Sequence, residues 1–487
     1  MQFNSIAFAI FFVVFVSFYY LAPRCGKNAI ALQRILLLLA SACFYAFANL
    51  KFVPFLLYSI AVTYFAGIIL NSDALKFDGG GCRGAKGRAL FIAFVAADLL
   101  PLLFFKYASK AWRGGIIFPL GLSFFTFQSL SYIFDCRSNK IKAEKNILDV
   151  ALFVSFFPVI SSGPIQRAGN LMPQLKSLHN FDYDNATCGM KQFAWGVFKK
   201  FCVADALAVY VDFVYASESL ASRTGLATLL ATIFYAFQIY CDFSAYSDMA
   251  IGVARFMGFD AGKNFDHPYL ATSVGDFWRR WHISLSTWLR DYVYIPLGGS
   301  RVVQARIYFN LLATFLVSGI WHGSTWNFVI WGLLHGVFQC VGRATKGFWE
   351  KAKLPYFVRA AIVFCLAAFA WIFFRAPNFS DALVIVKSFG KIPQDIANLF
   401  AAVKSVGLKD AVKDSLAIDG GFMGMVNRCA ALAIFVCLSL ATRKQSGLEM
   451  VKAKPAFARW LSYYAFAIIL IWFYNTGFVS NFIYSNF

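Results

Sequence analysis

The chain has 487 residues, of which 60% are hydrophobic, 19% aromatic and 14% charged. Soluble globular chains average about 45–50% apolar and about 25% charged residues, so this composition excludes a cytosolic enzyme, a secreted domain and a disordered protein. The formal charge is +21, but the basic residues lie in short loops between long apolar runs. That is the positive-inside pattern of membrane proteins, and nucleic acid is not an expected partner.

Long apolar runs without strand-like alternation predict an all-α, polytopic helical membrane protein, not a β-barrel. Each crossing needs about 20 apolar residues. The candidate spans are residues 4–22, 30–49, 51–71, 89–105, 116–134, 147–163, 191–214, 226–241, 305–320, 326–342, 359–374, 422–441 and 460–478. Because a few of them can be re-entrant or lie on the membrane surface, we predict about twelve transmembrane helices, with short amphipathic and re-entrant helices between them.

The basic loops orient these spans. The first, third and fifth loops carry lysine and arginine clusters at 24–34, 76–88 and 137–145, whereas the second loop carries only Lys51. The positive-inside rule therefore places those three loops in the cytoplasm and the N-terminus outside. Another basic cluster at 443–459 precedes the last span and places the C-terminus outside, which requires an even number of crossings. The same orientation places the loop after span 89–105 outside, and the basic residues Lys106, Lys110 and Arg113 there do not fit the rule.

No internal repeat or soluble domain is visible, so residues 1–487 are predicted to form a single integral domain in the lipid bilayer. The eleven cysteines are scattered and no C-x-x-C occurs, so neither a disulfide framework nor a metal site is expected. At the end of the predicted span 147–163, Gly163 and Pro164 interrupt the run FFPVISSGPIQR (Phe156–Arg167). Such irregular backbone is tolerated in a membrane only beside protein or a watery cavity.

Three polar residues recur at helical spacing in the run QIYCDFSAYSDMAIG. Gln238, Asp242 and Tyr246 stand at positions i, i+4 and i+8, so they share one face of a helix. They either line a tunnel or tie neighbouring helices together, and the sequence leaves both interpretations open.

The stretch FWRRWHISLSTWLRDYVYIPLGG (Phe277–Gly299) is predicted to be an amphipathic helix at the cytoplasmic interface. At about 100° per residue, Arg279, His282, Ser286 and Arg290 share one face, with aromatic residues opposite. One interpretation is a basic interfacial anchor. The other is a docking face for an anionic cytosolic ligand, since arginine binds phosphate through its bidentate fork.

A histidine stands between two apolar runs in SGIWHGSTWNFVIWGLLHG (Ser318–Gly336). His322 is flanked by Gly319 and Gly323, which let backbones approach or leave room for a ligand. An ionisable residue at membrane depth indicates function, although a hydrogen-bonded packing histidine is the alternative. Along a continuous helix His335 lies about 20 Å further on, so it is expected to be structural.

Six stretches in chain order resemble the membrane-bound O-acyltransferase (MBOAT) family, in its bacterial branch that O-acetylates alginate and peptidoglycan. They are FPLGLSFFTFQSLSYIFD (Phe118–Asp135), FFPVISSGPIQR, QIYCDFSAYSDMA, FWRRWHISLSTWLRDYVYIPLGG, SGIWHGSTWNFVIWGLLHG and WIFFRAPN (Trp371–Asn378). The resemblance implies a multi-pass protein of the bacterial inner membrane, with acetyl-CoA as acyl donor and no bound cofactor. It places His322 on the family's catalytic histidine and His282 on its second motif position. The residues expected to hold coenzyme A are Arg279, Arg280, Ser286 and Arg290.

Residues 477–487 are predicted to form an extracytoplasmic aromatic tail. Phe482, Tyr484 and Phe487 read F-x-Y-x-x-F, which is either an interfacial aromatic belt or an acceptor motif. The pattern is similar to the terminal motif of bacterial surface-acylation systems, in which the tyrosine carries the acyl group. That resemblance implies that Tyr484 accepts acetyl with His322 as base, and that a separate extracytoplasmic partner of the SGNH-hydrolase type receives it.

Two other function classes remain open at this point. Within acyl transfer, the family resemblance also allows D-alanyl transfer to teichoic acid. Intramembrane histidine and aspartate with a broken helix would equally suit a transporter or flippase without covalent chemistry, although no inverted repeat is visible.

Overall fold

The computed structural model describes residues 1, 3, 5–72, 84–107, 118–418, 421–443 and 447–474. Within these ranges every regular element is a helix, which confirms the predicted all-α class. The α-helices are α1 Ile6–Tyr19, α2 Ala29–Ala48, α3 Val53–Leu70, α4 Ala85–Lys106, α5 Leu122–Arg137, α6 Ile147–Ser155, α7 Ala168–Leu175, α8 Tyr183–Phe198, α9 Asp205–Val214, α10 Ser217–Leu220, α11 Gly225–Phe256, α12 Val274–Arg280, α13 Ile283–Leu289, α14 Gln304–His322, α15 Trp326–Ala344, α16 Lys346–Lys351, α17 Tyr356–Arg375, α18 Phe379–Ser388, α19 Ile392–Val406, α20 Leu408–Ser415, α21 Phe422–Ala441, α22 Gly447–Lys452 and α23 Ala456–Tyr474. The predicted tail 477–487, with Tyr484, lies outside the described residues.

Seven of the helical segments in these ranges are long and apolar enough to cross a membrane. They are Ala22–Ala48, Leu50–Leu70, Ala85–Lys106, Gly225–Phe256, Tyr356–Arg375, Phe422–Ala441 and Ala456–Tyr474. A multi-pass membrane protein is therefore confirmed, whereas the count of twelve crossings stays a prediction.

Two predicted spans are interrupted. The helix α6 ends at Ser155, and residues 156–167 form turns and irregular backbone, as the glycine and proline there predicted. The predicted span 191–214 is instead α8, a π-helical turn at Lys199–Ala204, and α9. Short π-helical turns interrupt α-helices at strained or functional places, and this one carries two buried lysines that face α11.

The start of α2, the end of α3 and the fifth loop lie together at one edge of the described part of the chain. Arg34, in the second turn of α2, pairs with Asp149 at the start of α6, just after the fifth loop. At the end of α3, Asn71 Nδ2 donates a hydrogen bond to Asn139 Oδ1 in the fifth loop at 3.1 Å. Residues 73–83 of the third loop lie outside the described residues, and the assignment of the three loops to the cytoplasm stays a prediction. We call this edge the basic edge.

Candidate active site around two buried histidines

His322 is the last residue of α14 and lies at the tip of a tight helical hairpin. The chain becomes extended at Gly323, and α15 begins at Trp326 and returns alongside α14. At Gly319 an added Cβ would overlap the backbone oxygen of Phe328, so only glycine permits this close approach. The predicted glycine flanks of His322 therefore serve to pack the hairpin.

Aromatic rings enclose the imidazole of His322, and this residue is only 2% exposed to solvent. Its ring centroid lies 4.7 Å from that of Trp321, 4.8 Å from that of Trp331 and 5.3 Å from that of Phe374. The imidazole therefore lies in a largely apolar environment.

His282 lies at the tip of a second hairpin, and the structure corrects the predicted continuous amphipathic helix. The helix α12 ends at Arg280, and α13 begins at Ile283. Between them His282 adopts φ 42° and ψ 56°, a left-handed conformation that is costly for a residue with a Cβ. His282 is fully buried, so it does not share an exposed face with Arg279 and Arg290.

The two arms of this hairpin pack against different helices. On the inward arm, Val274 accepts a hydrogen bond from Gln339 of α15. On the outward arm, the ring of Trp288 stacks on that of Phe127 of α5, with the centroids 4.1 Å apart. The segment is therefore a helical hairpin with a buried tip, which we call the re-entrant hairpin, and not one continuous amphipathic helix.

Asn264 fixes both the backbone and the tautomer of His282. Its backbone oxygen accepts from the Ile283 N–H at 2.8 Å, and its Oδ1 accepts from the backbone N–H of Ser284 at 3.3 Å. Because a backbone N–H can only donate, the atom facing His282 is the amide oxygen, and His282 Nδ1, 3.1 Å away, must donate to it. The other ring nitrogen, Nε2, therefore carries the lone pair. Sequence reasoning missed Asn264.

Trp321 joins the two histidines that the sequence singled out. Its ring centroid lies 6.3 Å from that of His282 and 4.7 Å from that of His322. The tip of the re-entrant hairpin thus meets the tip of the α14–α15 hairpin, although their residues are far apart in the chain. The structure brings the two predicted catalytic histidines into one cluster.

Several polar atoms in this cluster are buried without a hydrogen-bond partner among the described residues. They are His282 Nε2, Ser318 Oγ, Trp321 Nε1, Trp331 Nε1 and His335 Nε2. An unsatisfied buried polar group costs about 1–3 kcal/mol, so proteins rarely collect them in a packed core. They comprise ring N–H donors, a hydroxyl and an imidazole acceptor whose hydrogen-bonding capacity the described residues leave unused.

The structure corrects the expected separation of His335 from His322. Because the chain reverses between α14 and α15, the ring of Trp331 contacts both imidazoles, at centroid distances of 4.8 Å for His322 and 5.0 Å for His335. Trp278 Nε1 donates to His335 Nδ1 at 3.3 Å, which leaves the proton of His335 on Nε2. The prediction assumed a continuous helix, which the turn at 323–325 removes.

The predicted arginine face divides into separate surface groups. Arg279 and Arg280 pair with Asp276 at 3.5 and 3.0 Å, and Arg290 pairs with Asp291 at 2.8 Å. Ser286 Oγ donates to the backbone oxygen of Trp281. Of these residues only Arg290 adjoins the outer end of the re-entrant hairpin's outward arm.

Arg167 adds a basic group at that outer end that sequence reasoning did not select. Its guanidinium carbon lies 4.4 Å from the ring centroid of Tyr292, and its Nη2 lies 3.6 Å from Asp291 Oδ2. Burial lowers the pKa of Arg167, and Tyr292 and Asp291 oppose that shift. Arg167 is the last residue of the irregular segment 156–167. The predicted break after α6 therefore places a guanidinium group at the outer end of the hairpin's outward arm.

The helix face of Gln238, Asp242 and Tyr246 is buried on α11 and is tied to the π-helical turn. Lys200 Nζ lies 2.8 Å from Asp242 Oδ1 and 2.9 Å from Asp205 Oδ1, and all three side chains are almost wholly buried. This ion pair supports the helix-tying interpretation. A tunnel-lining role for the three residues stays a prediction.

Comparison with known sequences shows which protein family the chain resembles. The sequence profile described as "MBOAT, membrane-bound O-acyltransferase family" matches residues 86–380, which include both histidine hairpins. The chain belongs to this family. The resemblance predicted from the six motifs is thereby confirmed, and the protein is a membrane O-acyltransferase.

Alignments with named relatives cover more than half of this chain. A peptidoglycan O-acetyltransferase of Helicobacter pylori is 36% identical over 409 residues, covering 76% of this chain and 76% of its own length. A probable alginate O-acetylase AlgI of Pseudomonas aeruginosa is 38% identical over 399 residues, covering 78% and 73%. A teichoic acid D-alanyltransferase of Bacillus subtilis is 30% identical over 289 residues, covering 55% and 70%.

Proposed function

We propose that this acyltransferase moves an acetyl group from cytosolic acetyl-CoA across the membrane for O-acetylation of an extracytoplasmic polysaccharide. The observation that carries the proposal is the junction of His282, Trp321 and His322 inside the membrane domain. Relatives named as acetyltransferases of peptidoglycan and alginate match more of the chain than the D-alanyltransferase does. Acetyl is therefore the acyl group we favour.

The re-entrant hairpin supports a route for the donor. Its outward arm follows α5 from Phe124, whose ring centroid lies 6.3 Å from that of His282, to Phe134, which contacts Tyr292 at 5.0 Å. Between Phe124 and Phe134 a helix rises about 15 Å. In this proposal, Arg167 and Arg290 hold the phosphates of acetyl-CoA at the basic edge, and the thioester reaches inward to the histidines.

His322 is the proposed general base. It removes the proton from the acceptor hydroxyl as the hydroxyl oxygen attacks the thioester carbonyl carbon. The tetrahedral intermediate then expels the thiolate, which takes the proton from the imidazolium. His282, held by Asn264 with its Nε2 lone pair directed into the protein, accepts a hydrogen bond from donor or acceptor and orients it. The aromatic rings around His322 limit competing hydrolysis by water.

Tyr484 is the proposed first acceptor, from the sequence of the C-terminal tail. A phenol with a pKa near 10 needs a base at neutral pH, and its acetyl ester is activated enough to be passed on. The ester would then go to an extracytoplasmic transferase of the SGNH-hydrolase type, which attaches acetyl to the polysaccharide.

The test is to measure the ester-linked groups on the cell's extracytoplasmic polysaccharides by mass spectrometry. Cells lacking the native protein are supplied with the wild-type chain or with His322→Gln. We expect O-acetyl on peptidoglycan or another polysaccharide with the wild type and none with the variant. Ester-linked D-alanine restored in place of acetyl would support the alternative acyl group. Acetylation by the variant equal to wild type would contradict the proposal.

A further inference from the structure

Lys106 is a buried lysine beside the histidine cluster. It is the last residue of α4 and is 7% exposed. Its Nζ donates a hydrogen bond to the backbone oxygen of Trp321 and lies 5.5 Å from the centroid of the Trp321 indole. The amine therefore contacts the residue that joins His282 to His322.

No carboxylate among the described residues forms an ion pair with Lys106, in contrast to the other buried lysines. Lys199 pairs with Asp248 at 2.5 Å, and Lys200 pairs with Asp205 and Asp242. A buried charge without a counter-charge is costly, and inside a membrane domain such a residue indicates function. A need for helix packing does not explain Lys106.

A capping role accounts for only part of its contacts. The last carbonyl groups of a helix lack partners within the helix. Tyr107, the next residue, donates its hydroxyl to the backbone oxygen of Ile320 at 2.7 Å. A neutral hydroxyl is thus enough to satisfy one carbonyl at this end of α14. The amine of Lys106 supplies further N–H donors that capping does not require.

We propose that Lys106 is the oxyanion-stabilising residue of the acyl transfer, a role that rests on the proposed function. When the acceptor oxygen bonds to the thioester carbon, the carbonyl π electrons move to its oxygen, and the proton of the acceptor goes to His322. Lys106 donates an N–H to that oxyanion. The electrons then return, the carbon–sulfur bond breaks, and the thiolate takes the proton from His322.

The surroundings of Lys106 favour this role. Its N–H groups and the unpartnered Trp321 Nε1–H are hydrogen-bond donors in an apolar wall next to His322 in the chain. Hydrogen-bond donors that are already in position stabilise the negative charge of the transition state most strongly where water is excluded. Removing one such donor typically lowers the reaction rate about 10²–10³-fold.

The test compares Lys106→Met with Tyr107→Phe in the purified full-length chain in nanodiscs. Acetyl-CoA is the probe. Because Tyr484 accepts one acetyl group per chain, the single-turnover release of free thiol gives the rate constant for transfer. For Lys106→Met we expect this rate constant to fall about 10²–10³-fold, with a Tm equal to or above that of the wild type because a buried ionisable group is removed. For Tyr107→Phe we expect a small loss of Tm and a wild-type rate constant.

A wild-type rate constant in Lys106→Met would overturn the inference. A parallel loss of Tm and of the rate constant in both variants would also overturn it, because it would indicate capping alone. A wild-type chain that cleaves no acetyl-CoA would instead contradict the proposed function. The two failures are therefore distinguishable.

Discussion

His282 Nδ1 donates a hydrogen bond to Asn264 Oδ1 at 3.1 Å, and the same oxygen also accepts from the backbone N–H of Ser284. Asn264 Nδ2 in turn donates to Ser247 of α11 at 2.9 Å. The asparagine therefore connects the tip of the re-entrant hairpin to a buried helix. It holds His282 in a left-handed conformation and leaves Nε2 as the acceptor.

Removing this clamp should impair catalysis more than stability. Partners that orient histidines at metal sites typically cost about 10–100-fold in activity when they are changed. By analogy we expect Asn264→Ala to lower the single-turnover rate constant for thioester cleavage by that amount. The matched control is Asn310→Ala, which loses a buried hydrogen bond to the backbone oxygen of Gly299. The control should lose Tm and keep the wild-type rate constant. Equal rate constants in the two variants would show that Asn264 has no orienting role.

The ion pairs of Lys200 should control stability. Lys200→Met leaves the buried carboxylates of Asp205 and Asp242 without their cation, and breaking a buried pair typically costs about 3–5 kcal/mol. We expect a large fall in Tm, measured by thermal unfolding in nanodiscs. The triple variant that also carries Asp205→Asn and Asp242→Asn should recover most of it. A single variant as stable as the wild type would contradict the helix-tying role.

The basic edge should face the cytoplasm. Arg290 is exposed at this edge, and Lys51 is exposed in the loop predicted to lie on the opposite side. We therefore introduce Arg290→Cys and Lys51→Cys separately into a chain whose native cysteines are replaced. A membrane-impermeant maleimide should label position 290 only in inverted vesicles and position 51 only in right-side-out vesicles. The reverse pattern would overturn both the orientation and the donor route.

The proposed acceptor role of the C-terminal tail depends on the hydroxyl oxygen of Tyr484. Tyr484→Phe keeps the aromatic ring of the F-x-Y-x-x-F pattern but removes the nucleophile. We expect loss of polysaccharide acetylation in cells, with the chain still present in the membrane at wild-type amounts. Phe482→Tyr, which keeps Tyr484, is the control and should remain active. Normal acetylation by Tyr484→Phe would leave the tail as an aromatic anchor only.

Much of the architecture could be predicted from local sequence. Apolar runs predicted the helical class, and Gly163 with Pro164 predicted the break after α6. The failures came from chain reversals within amphipathic runs. Nothing in FWRRWHISLSTWLRD marks a left-handed residue at His282, because that conformation is imposed by Asn264, which precedes it on another segment. Tertiary hydrogen bonds outweighed the local periodicity there.

Local sequence patterns were also insufficient to find every residue of the candidate active site. His322 was found because an imidazole in an apolar run is unusual. Lys106 was counted among loop charges, since the sequence does not reveal that α4 ends against Trp321. Arg167 belongs to a recognised motif, but only the fold places it beside Tyr292. Residues whose role depends on a distant partner were the ones that sequence patterns did not reveal.

The central claim is that His322 carries out acyl transfer at a thioester brought in from the basic edge. The most direct measurement is the rate of thiol release from acetyl-CoA by the purified full-length chain in nanodiscs, for the wild type and for His322→Gln, which nearly preserves the side-chain volume. Loss of a general base typically costs about 10²–10⁴-fold, so we predict a fall of that size in the single-turnover rate constant at an unchanged Tm. A His322→Gln chain that releases thiol at the wild-type rate would contradict the account.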